Sequence, residues 1–382
     1  MRGAPYELAL ESQVPSARSI YRFHSADGVL SKRSFRETEL LLVEALWDAD
    51  RDLGRLLCPE ANYGVVGVVL ADRAATVHMA ESSARARELC ERNAAANGVD
   101  ASTALVADIA TLAETFDTVA YAPKPYTPLS VGSQRIAGAL SMLDPGGSLY
   151  AAASKRTGLA RYEACLDDVA ASVERVARRG DSVLLEATPS EPFDPPTCVT
   201  PRVIDPKVDG VALSLVTVPG LFSPWGLDDG TRLLIEATPF EDGERVLDLA
   251  CGYGAIGTYA ARVADCAVWL SDDDRVATSC AACSLRTSGV DGTVVTADCT
   301  EGVVGATFDR VVCNPPTHAG SDVLSELFVG ARSVLAPDGE LTAVHHREFD
   351  CRPYLAGFDT IERRRTGDEH VVLGASGPRS DR

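Results

Sequence analysis

The chain repeats itself. YGVVG at 63–67 returns as YGAIG at 253–257, NGVD at 97–100 as SGVD at 288–291, TFDTVAYAPKP at 115–125 as TFDRVVCNPPT at 307–317, and MLDPGGSLYAA at 142–152 as VLAPDGELTAV at 334–344. All four pairs keep their order at offsets of 190–192 residues, within a chain of 382. A period of that size is a whole domain rather than a solenoid unit, so the chain predicts two copies of one fold. The seam belongs in TPSEPFDPPTCVTPRVIDPK at 188–207, whose prolines cannot sustain a helix or a central strand. This gives domains of 1–200 and 201–382.

Within the second copy, ERVLDLA (244–250) reads as a short buried strand, CGYGAIG as a glycine turn and TYAARVA as the start of a helix. CAVWLS (266–271) is the next strand, followed by a helix from Arg275 to Leu285, and TVVTAD (293–298) and FDRVVCN (308–314) are further strands. Strands alternating with helices predict a parallel, doubly wound α/β sheet with ligands at the carboxyl ends of its strands.

Those ends carry the chemistry. Gly252-Tyr-Gly254-Ala-Ile-Gly257 satisfies G-x-G-x-x-G between strand and helix, and Asp272 follows twenty residues beyond Gly252. Glycines let backbone approach a ligand, and an acid ending the second strand can accept both hydroxyls of a ribose. A dinucleotide oxidoreductase would share this much, and a plain tight turn would need none of it. Asp298, ending the third strand, can meet an adenine amino group. Asn314-Pro315-Pro316 ends the fourth, and a nicotinamide enzyme has no use for it. Methyl transfer to an amide or exocyclic nitrogen does, because that lone pair is delocalised and must be aimed. The Asn314 side-chain oxygen and the Pro315 carbonyl can accept the two N–H protons, and the prolines stiffen the loop.

With these residues in order, LDLACGYGAIG, Asp272, Asp298 and NPPTHAG resemble the N-methylating branch of the class I S-adenosylmethionine-dependent methyltransferases. VPGLFSPWGLDDGTRLLIEA (218–237), the loop with His318 and Gly320, and APKPYTP and SKRTGLARYE in the first copy resemble more narrowly the RsmC-like 16S ribosomal RNA guanine 2-amino methyltransferases. The resemblance implies two tandem Rossmann-like class I methyltransferase domains, the N-terminal one degenerate. It implies S-adenosyl-L-methionine as cofactor, with contacts at Asp248, Gly252, Gly254, Asp272, Asp298 and Asn314, and catalysis at Asn314, Pro315 and Pro316. It also implies that the segment from Phe222 to Asp229 closes over the cofactor. The partner would be small-subunit ribosomal RNA or an assembly intermediate. Alternatives are a transfer RNA or protein-glutamine acceptor, or a non-catalytic RNA-binding or assembly factor. The family usually carries an aromatic ring directly after the prolines; here that position is Thr317. Either Tyr253 or His318 substitutes, or the base is held differently.

In the first copy the stations have decayed. CPEANYGVVG lacks the leading acid and first glycine, Ala122-Pro123-Lys124 replaces Asn-Pro-Pro, and Glu81 and Asp108 read as surface residues of a retired domain that supports the second and helps hold RNA.

Charge sets the environment. Asp and Glu total 55 against 36 Lys and Arg, a formal charge of −19, and lysine occurs only at 32, 124, 155 and 207. An acidic, lysine-poor surface suits a halophilic cytoplasm. Phosphate binding would then contribute little through counterion release. Eleven cysteines without a framework predict reduced thiols, and Cys280-Ala-Ala-Cys283 predicts helix-borne thiols rather than a metal site. His345-His346 in a strand point to opposite faces, one packed and one solvated. Arg363-Arg364-Arg365 fits either phosphate contact or a solvated edge strand. No stretch has a signal-type apolar core or the roughly 18 apolar residues of a membrane span. The expectation is a cytoplasmic monomer without metal.

Overall fold

The computed structural model describes residues 6–379 except 13, 15 and 49–51. The chain divides between Thr200 and Pro201 into two compact units.

The first unit opens with an antiparallel pair, β1 (Tyr6–Glu11) and β2 (Ile20–Ser25). Its main sheet uses β3 (Arg55–Pro59), β4 (Thr76–Glu81), β5 (Ser102–Leu105), β6 (Phe116–Tyr121), β7 (Leu143–Ser154), β8 (Ala170–Arg179) and β9 (Ser182–Pro189), in the order β5-β4-β3-β6-β7-β9-β8. Helices α1 (Glu37–Trp47), α2 (Val65–Leu70), α3 (Ala84–Ala96), α4 (Leu129–Ser141) and α5 (Leu159–Val169) complete it.

The second unit begins with short strands β10 (Arg202–Ile204), β11 (Lys207–Val208), β12 (Val211–Ala212) and β13 (Leu215–Thr217), and helix α6 (Asp229–Ala237). Its main sheet comprises β14 (Arg245–Leu249), β15 (Ala267–Asp272), β16 (Thr293–Thr296), β17 (Phe308–Cys313), β18 (Leu335–His346), β19 (Phe358–Thr366) and β20 (His370–Pro378). The order β16-β15-β14-β17-β18-β20-β19 repeats that of the first sheet. Helices α7 (Ala255–Val263), α8 (Arg275–Thr287) and α9 (Ser321–Ser333) connect the strands.

The duplication reaches fine detail. The parallel ladders β6–β7 and β17–β18 shift register at equivalent points, Phe116/Thr118 and Phe308/Arg310. Asp117 Oδ2 accepts the Arg55 N–H at 2.7 Å just as Asp309 Oδ2 accepts that of Arg245 at 2.8 Å. Gly64 and Gly254 precede their helices at φ +87° and +84°.

The sheets are mixed, which corrects the expectation of a purely parallel array. β20 runs antiparallel to both β18 and β19. Only residues 367–369 separate β19 from β20, and so short a connection joins antiparallel strands, whereas a parallel crossover needs a dozen residues or more. α7 starts at Ala255, inside the glycine motif, and β16 stops at Thr296, leaving Asp298 in the loop beyond.

Leu247, Leu249, Val311 and Cys313 are at most 1 % exposed. Each fully buried aliphatic side chain contributes about 1.5–3 kcal/mol, so the two central strands are fixed in register. Chain order reverses beside β14, and the crevice outside the carboxyl ends there is where such sheets hold ligands.

Candidate active site

A buried carboxylate and a half-buried one flank the glycine turn. Asp248 is fully buried on β14; its Oδ2 accepts the Gly257 N–H at 2.8 Å, an otherwise unpaired amide of the first turn of α7. Its Oδ1 is buried with no hydrogen-bond partner among the described residues. Burial pushes the Asp248 carboxyl up to about 7, opposed by the Gly257 amide and assisted by the charge of Asp272. Asp272 ends β15 and accepts from Gly252 N at 2.8 Å and Asp274 N at 2.9 Å. Burial raises it to about 6 against those amides.

The glycines are needed for different reasons. At Gly254, φ +84°, a Cβ would lie 2.8 Å from Leu270 Cδ2 and 3.0 Å from Ala281 Cβ, so the turn could not pack on β15 and α8. At Gly252, φ +55°, a Cβ would meet nothing within 4 Å; the space over that peptide is open to a ligand. Asp298 is 8 % exposed beyond β16, and its neighbour Ala297 donates its N–H to Asp272 O at 3.0 Å. Asp248, Gly252, Gly254, Asp272 and Asp298 thus gather along the carboxyl ends of adjacent strands.

Asn314 leaves β17 beside them. Its Nδ2 donates to Thr231 Oγ1 at 2.9 Å and to Asp228 Oδ2 at 3.3 Å. A carboxylate only accepts, so this pair fixes which way the amide faces and turns Oδ1 away from Asp228. Asp228 also caps α6, accepting from Thr231 N at 2.8 Å. Pro315 is buried, and its carbonyl already accepts the Thr317 N–H at 2.9 Å, so only its second lone pair remains for a ligand. Thr317 and His318 are exposed.

Asp228 and Thr231 were missed as functional residues by motif reading. The signal was present, because Asp-Asp-Gly-Thr before an apolar helix is an N-cap signature, but a cap does not announce what else its carboxylate holds.

The segment 222–229 is tied to the glycine turn. Tyr253 is only 5 % exposed and donates its hydroxyl to Gly226 O at 3.2 Å and Ser223 O at 3.4 Å. That rules it out as the ring replacing the one missing at Thr317: its face is packed and its hydroxyl serves as a tether. Open rings stand on the tethered segment instead, Phe222 at 61 % and Trp225 at 66 % exposure, the latter with the Arg202 guanidinium 3.9 Å from its centroid.

In the first unit the equivalent crevice is filled by the protein itself. Glu81 is 2 % exposed, which corrects its reading as a surface residue. Its carboxylate takes the Asn62 N–H at 2.5 Å and the Lys124 ammonium at 3.2 Å, while Arg135 pairs with Glu60 at 2.8 Å. Burial opposes the Lys124 charge, but Glu81 and Glu60 outweigh it and its pKa stands above the ordinary value. The carbonyls of Ala122 and Pro123, at the station of Asn314 and Pro315, accept from Arg36 Nη1 at 3.0 and 3.3 Å. Asp108 is half-buried and caps a short turn through Ala110 N at 3.0 Å. The positive charges of Lys124, Arg36 and Arg135 occupy these positions, which disfavours a cationic sulfonium there.

Elsewhere, Cys280 is buried and Cys283 half-buried on α8, and no group of metal-ligating side chains occurs among the described residues. His345 is 7 % exposed, whereas His346 faces the ring of His370 at 5.4 Å. No helix among the described residues is long and apolar enough to cross a membrane.

Two seven-stranded sheets in this order, with glycine turn, strand-end acids and an Asn-Pro-Pro loop in the second, define a tandem class I methyltransferase fold. The sequence matches the family described as Methyltransferase small domain over residues 20–186 and 212–373, and the chain belongs to that family. It is similar to ribosomal RNA small subunit methyltransferase C of Pseudomonas aeruginosa, 32% identical over 215 residues covering 52% of this chain and 61% of that one. It is also similar to ribosomal RNA large subunit methyltransferase G of Vibrio vulnificus, 29% identical over 179 residues, 44% of this chain and 46% of that one. The chain thus spans about half the length of such relatives. Among solved structures, the T. thermophilus 16S rRNA N2 G1207 methyltransferase RsmC, in complex with AdoMet and guanosine, shares the fold with a TM-score of 0.78 at 24% identity, covering 97% of this chain and 98% of that one.

Proposed function

We propose that the second unit transfers a methyl group from S-adenosyl-L-methionine to the 2-amino group of a guanine in small-subunit ribosomal RNA. The observation that carries this reading is the anchored Asn314 amide, whose nitrogen is committed to Asp228 and Thr231. A planar amine needs an acceptor held at a fixed angle, and the Asn314 Oδ1 with the second lone pair of the Pro315 carbonyl meets that need. Preorganised acceptors lose little entropy when the substrate arrives.

The crevice fits the cofactor. Asp272 supplies acceptor lone pairs for ribose hydroxyls beyond its amide bonds, Asp298 can accept an adenine amino group, and the unpartnered Asp248 Oδ1 suits the ligand's ammonium. The open space above Gly252 gives room for the chain between them. When bound, S-adenosylmethionine would supply a methyl carbon activated by its sulfonium. Asn314 and Pro315 hold the amine's two hydrogens, Pro316 stiffens the loop, and the proton leaves to solvent after transfer, so no strong base is required. A base paired in a helix cannot reach the loop and must be turned out, and Phe222 or Trp225 offers a ring for it.

Relatives that act on small-subunit RNA support this acceptor. The similarity to a large-subunit methyltransferase keeps that RNA as the second candidate. The first unit, its crevice closed by Lys124, serves in this reading as support and RNA-holding surface. The test is methyl transfer from labelled cofactor to unmodified small- and large-subunit RNA, with nucleosides identified by mass spectrometry. N2-methylguanosine in small-subunit RNA, lost in Asn314→Ala by at least about a hundredfold in rate, is the expected outcome. Labelling of another nucleoside, or full activity of the variant, refutes the assignment.

A further inference from the structure

A second cavity, of about 440 Å³, opens on the second unit. Its lining includes His345, Arg347, Arg352 and Arg363, with Asp350 as its one carboxylate. Such a cluster is unexpected in a chain with 55 acidic and 36 basic residues. The other arginines on these edge and neighbouring strands are matched to acids: Arg310 to Glu244 at 2.7 Å, Arg364 to Glu340 at 2.5 Å and Arg365 to Glu236 at 3.0 Å. Asp350 is likewise taken by Arg352 at 2.9 Å. Arg347 and Arg363 have no carboxylate partner among the described residues; Arg347 donates only to the Gly367 carbonyl, at 2.5 Å.

The backbone directs them there. β19 shifts register between Arg363 and Arg365. Ile361 and Arg363 therefore line the cavity with Val371 and Leu373 of β20, while Arg364 and Arg365 lie outside it against their glutamates. Arg347 follows β18 where that strand ends, one strand over from the Asn-Pro-Pro loop. Cys313 and Ala343 are register partners, so Pro315 and His345 each lie two residues further on, Pro315 in the loop past β17 and His345 still within β18. At a strand spacing of about 4.8 Å, Arg363 on β19 is roughly 10 Å beyond β18.

We propose that this cavity binds a backbone phosphate of the RNA, next to the nucleotide presented to Asn314. Two guanidinium forks without internal anions match phosphate oxygens in geometry and charge. The lone strong anion inside, Asp350, is already neutralised. This gives an acidic protein one local point of cationic contact with its polyanionic substrate. The inference rests on the RNA reading above.

The test uses the full chain with unmodified small-subunit RNA, measuring affinity over a salt series alongside cofactor binding and methylation kinetics. Arg347→Gln and Arg363→Gln should each weaken RNA binding roughly fivefold and reduce the salt slope by about 0.7, the value for one phosphate contact on a single strand. KM for RNA should rise while kcat and cofactor affinity hold. Arg364→Gln makes the same charge change outside the cavity and should leave the slope alone. If Arg363→Gln and Arg364→Gln behave alike, the effect is bulk charge and the proposal fails. Inorganic phosphate and guanosine monophosphate serve as free competitors. If the cavity variants lose these while keeping wild-type RNA affinity and slope, the site serves a small phosphate ligand and the RNA proposal is overturned. A wild-type protein that methylates RNA with unaffected cavity variants sinks this inference alone; one that neither binds nor methylates RNA sinks both.

Discussion

Asp248→Asn tests the electrostatics of the glycine turn. The wild-type carboxyl rises from an ordinary 3.8 to about 7 on burial. A carboxyl raised in the folded state binds its proton more tightly there than in the unfolded chain. Its stabilising contribution is therefore complete below pH 3.8 and is lost as pH climbs to about 7. At about 1.4 kcal/mol per unit, the whole swing is on the order of 4 kcal/mol. Between pH 5 and pH 8 about 3 kcal/mol of it remains to be lost, since the decline stops once the folded group ionises. The amide cannot ionise, so the variant should lose about 3 kcal/mol less than wild type over that interval. Its unpaired N–H groups cost about 1–3 kcal/mol relative to the protonated carboxyl, which makes it the less stable protein below pH 3.8, brings the two close together near pH 5 and leaves the variant the more stable one at pH 8. Asp272, raised to about 6, acts in the same direction in both proteins and leaves the difference intact. Denaturant unfolding at constant ionic strength, followed through Trp225 and Trp269 in a Trp47→Phe background, reads the second unit. Parallel pH profiles for the two proteins would refute the reasoning, since they would mean that Asp248 is ionised at pH 5 in the folded state.

Asp228→Asn removes the charge that holds the Asn314 amide; kcat should fall roughly ten- to a hundredfold with cofactor affinity unchanged, and equal losses in both would assign Asp228 to cofactor binding instead. Trp225→Ala should raise KM for RNA about 5- to 150-fold, the equivalent of one lost base stack. Trp225→Phe should retain most of the affinity, and an unchanged KM in the alanine variant would remove the ring from the substrate path. Lys124→Met strands Glu81 without its cation and should destabilise the first unit by about 3 kcal/mol, read through Trp47 fluorescence. Adding Glu81→Gln should recover most of that loss, and a single-variant cost below about 1 kcal/mol would mean that the ion pair does not hold the crevice shut.

The repeat, the strand–turn–helix unit around Gly252 and Gly254 and the strand-end positions of Asp272 and Asn314 were all legible in the sequence. Each depends on local rules: apolar runs of strand length, glycine where φ must be positive, proline where a strand must stop. The antiparallel edge was not legible, because neither β19, exposed along nearly its whole length, nor β20, with its continuous buried centre, carries a pattern that tells which way it runs, and pairing direction follows from connection length and sheet position. Nor could local pattern tell that Glu81 is buried, since its burial depends on Lys124, which arrives from the loop after another strand.

Sequence alone therefore determined that two copies of one α/β fold exist and that the second retains a glycine turn, strand-end acids and an Asn-Pro-Pro loop. Tertiary structure alone decided which side chains meet: Asp228 with Asn314 across 86 positions, Lys124 with Glu81, and Arg347 with Arg363 around one cavity. Propensity and periodicity act over a few residues, whereas such encounters are set by strand register and helix packing, which bring together positions that no local spacing relates.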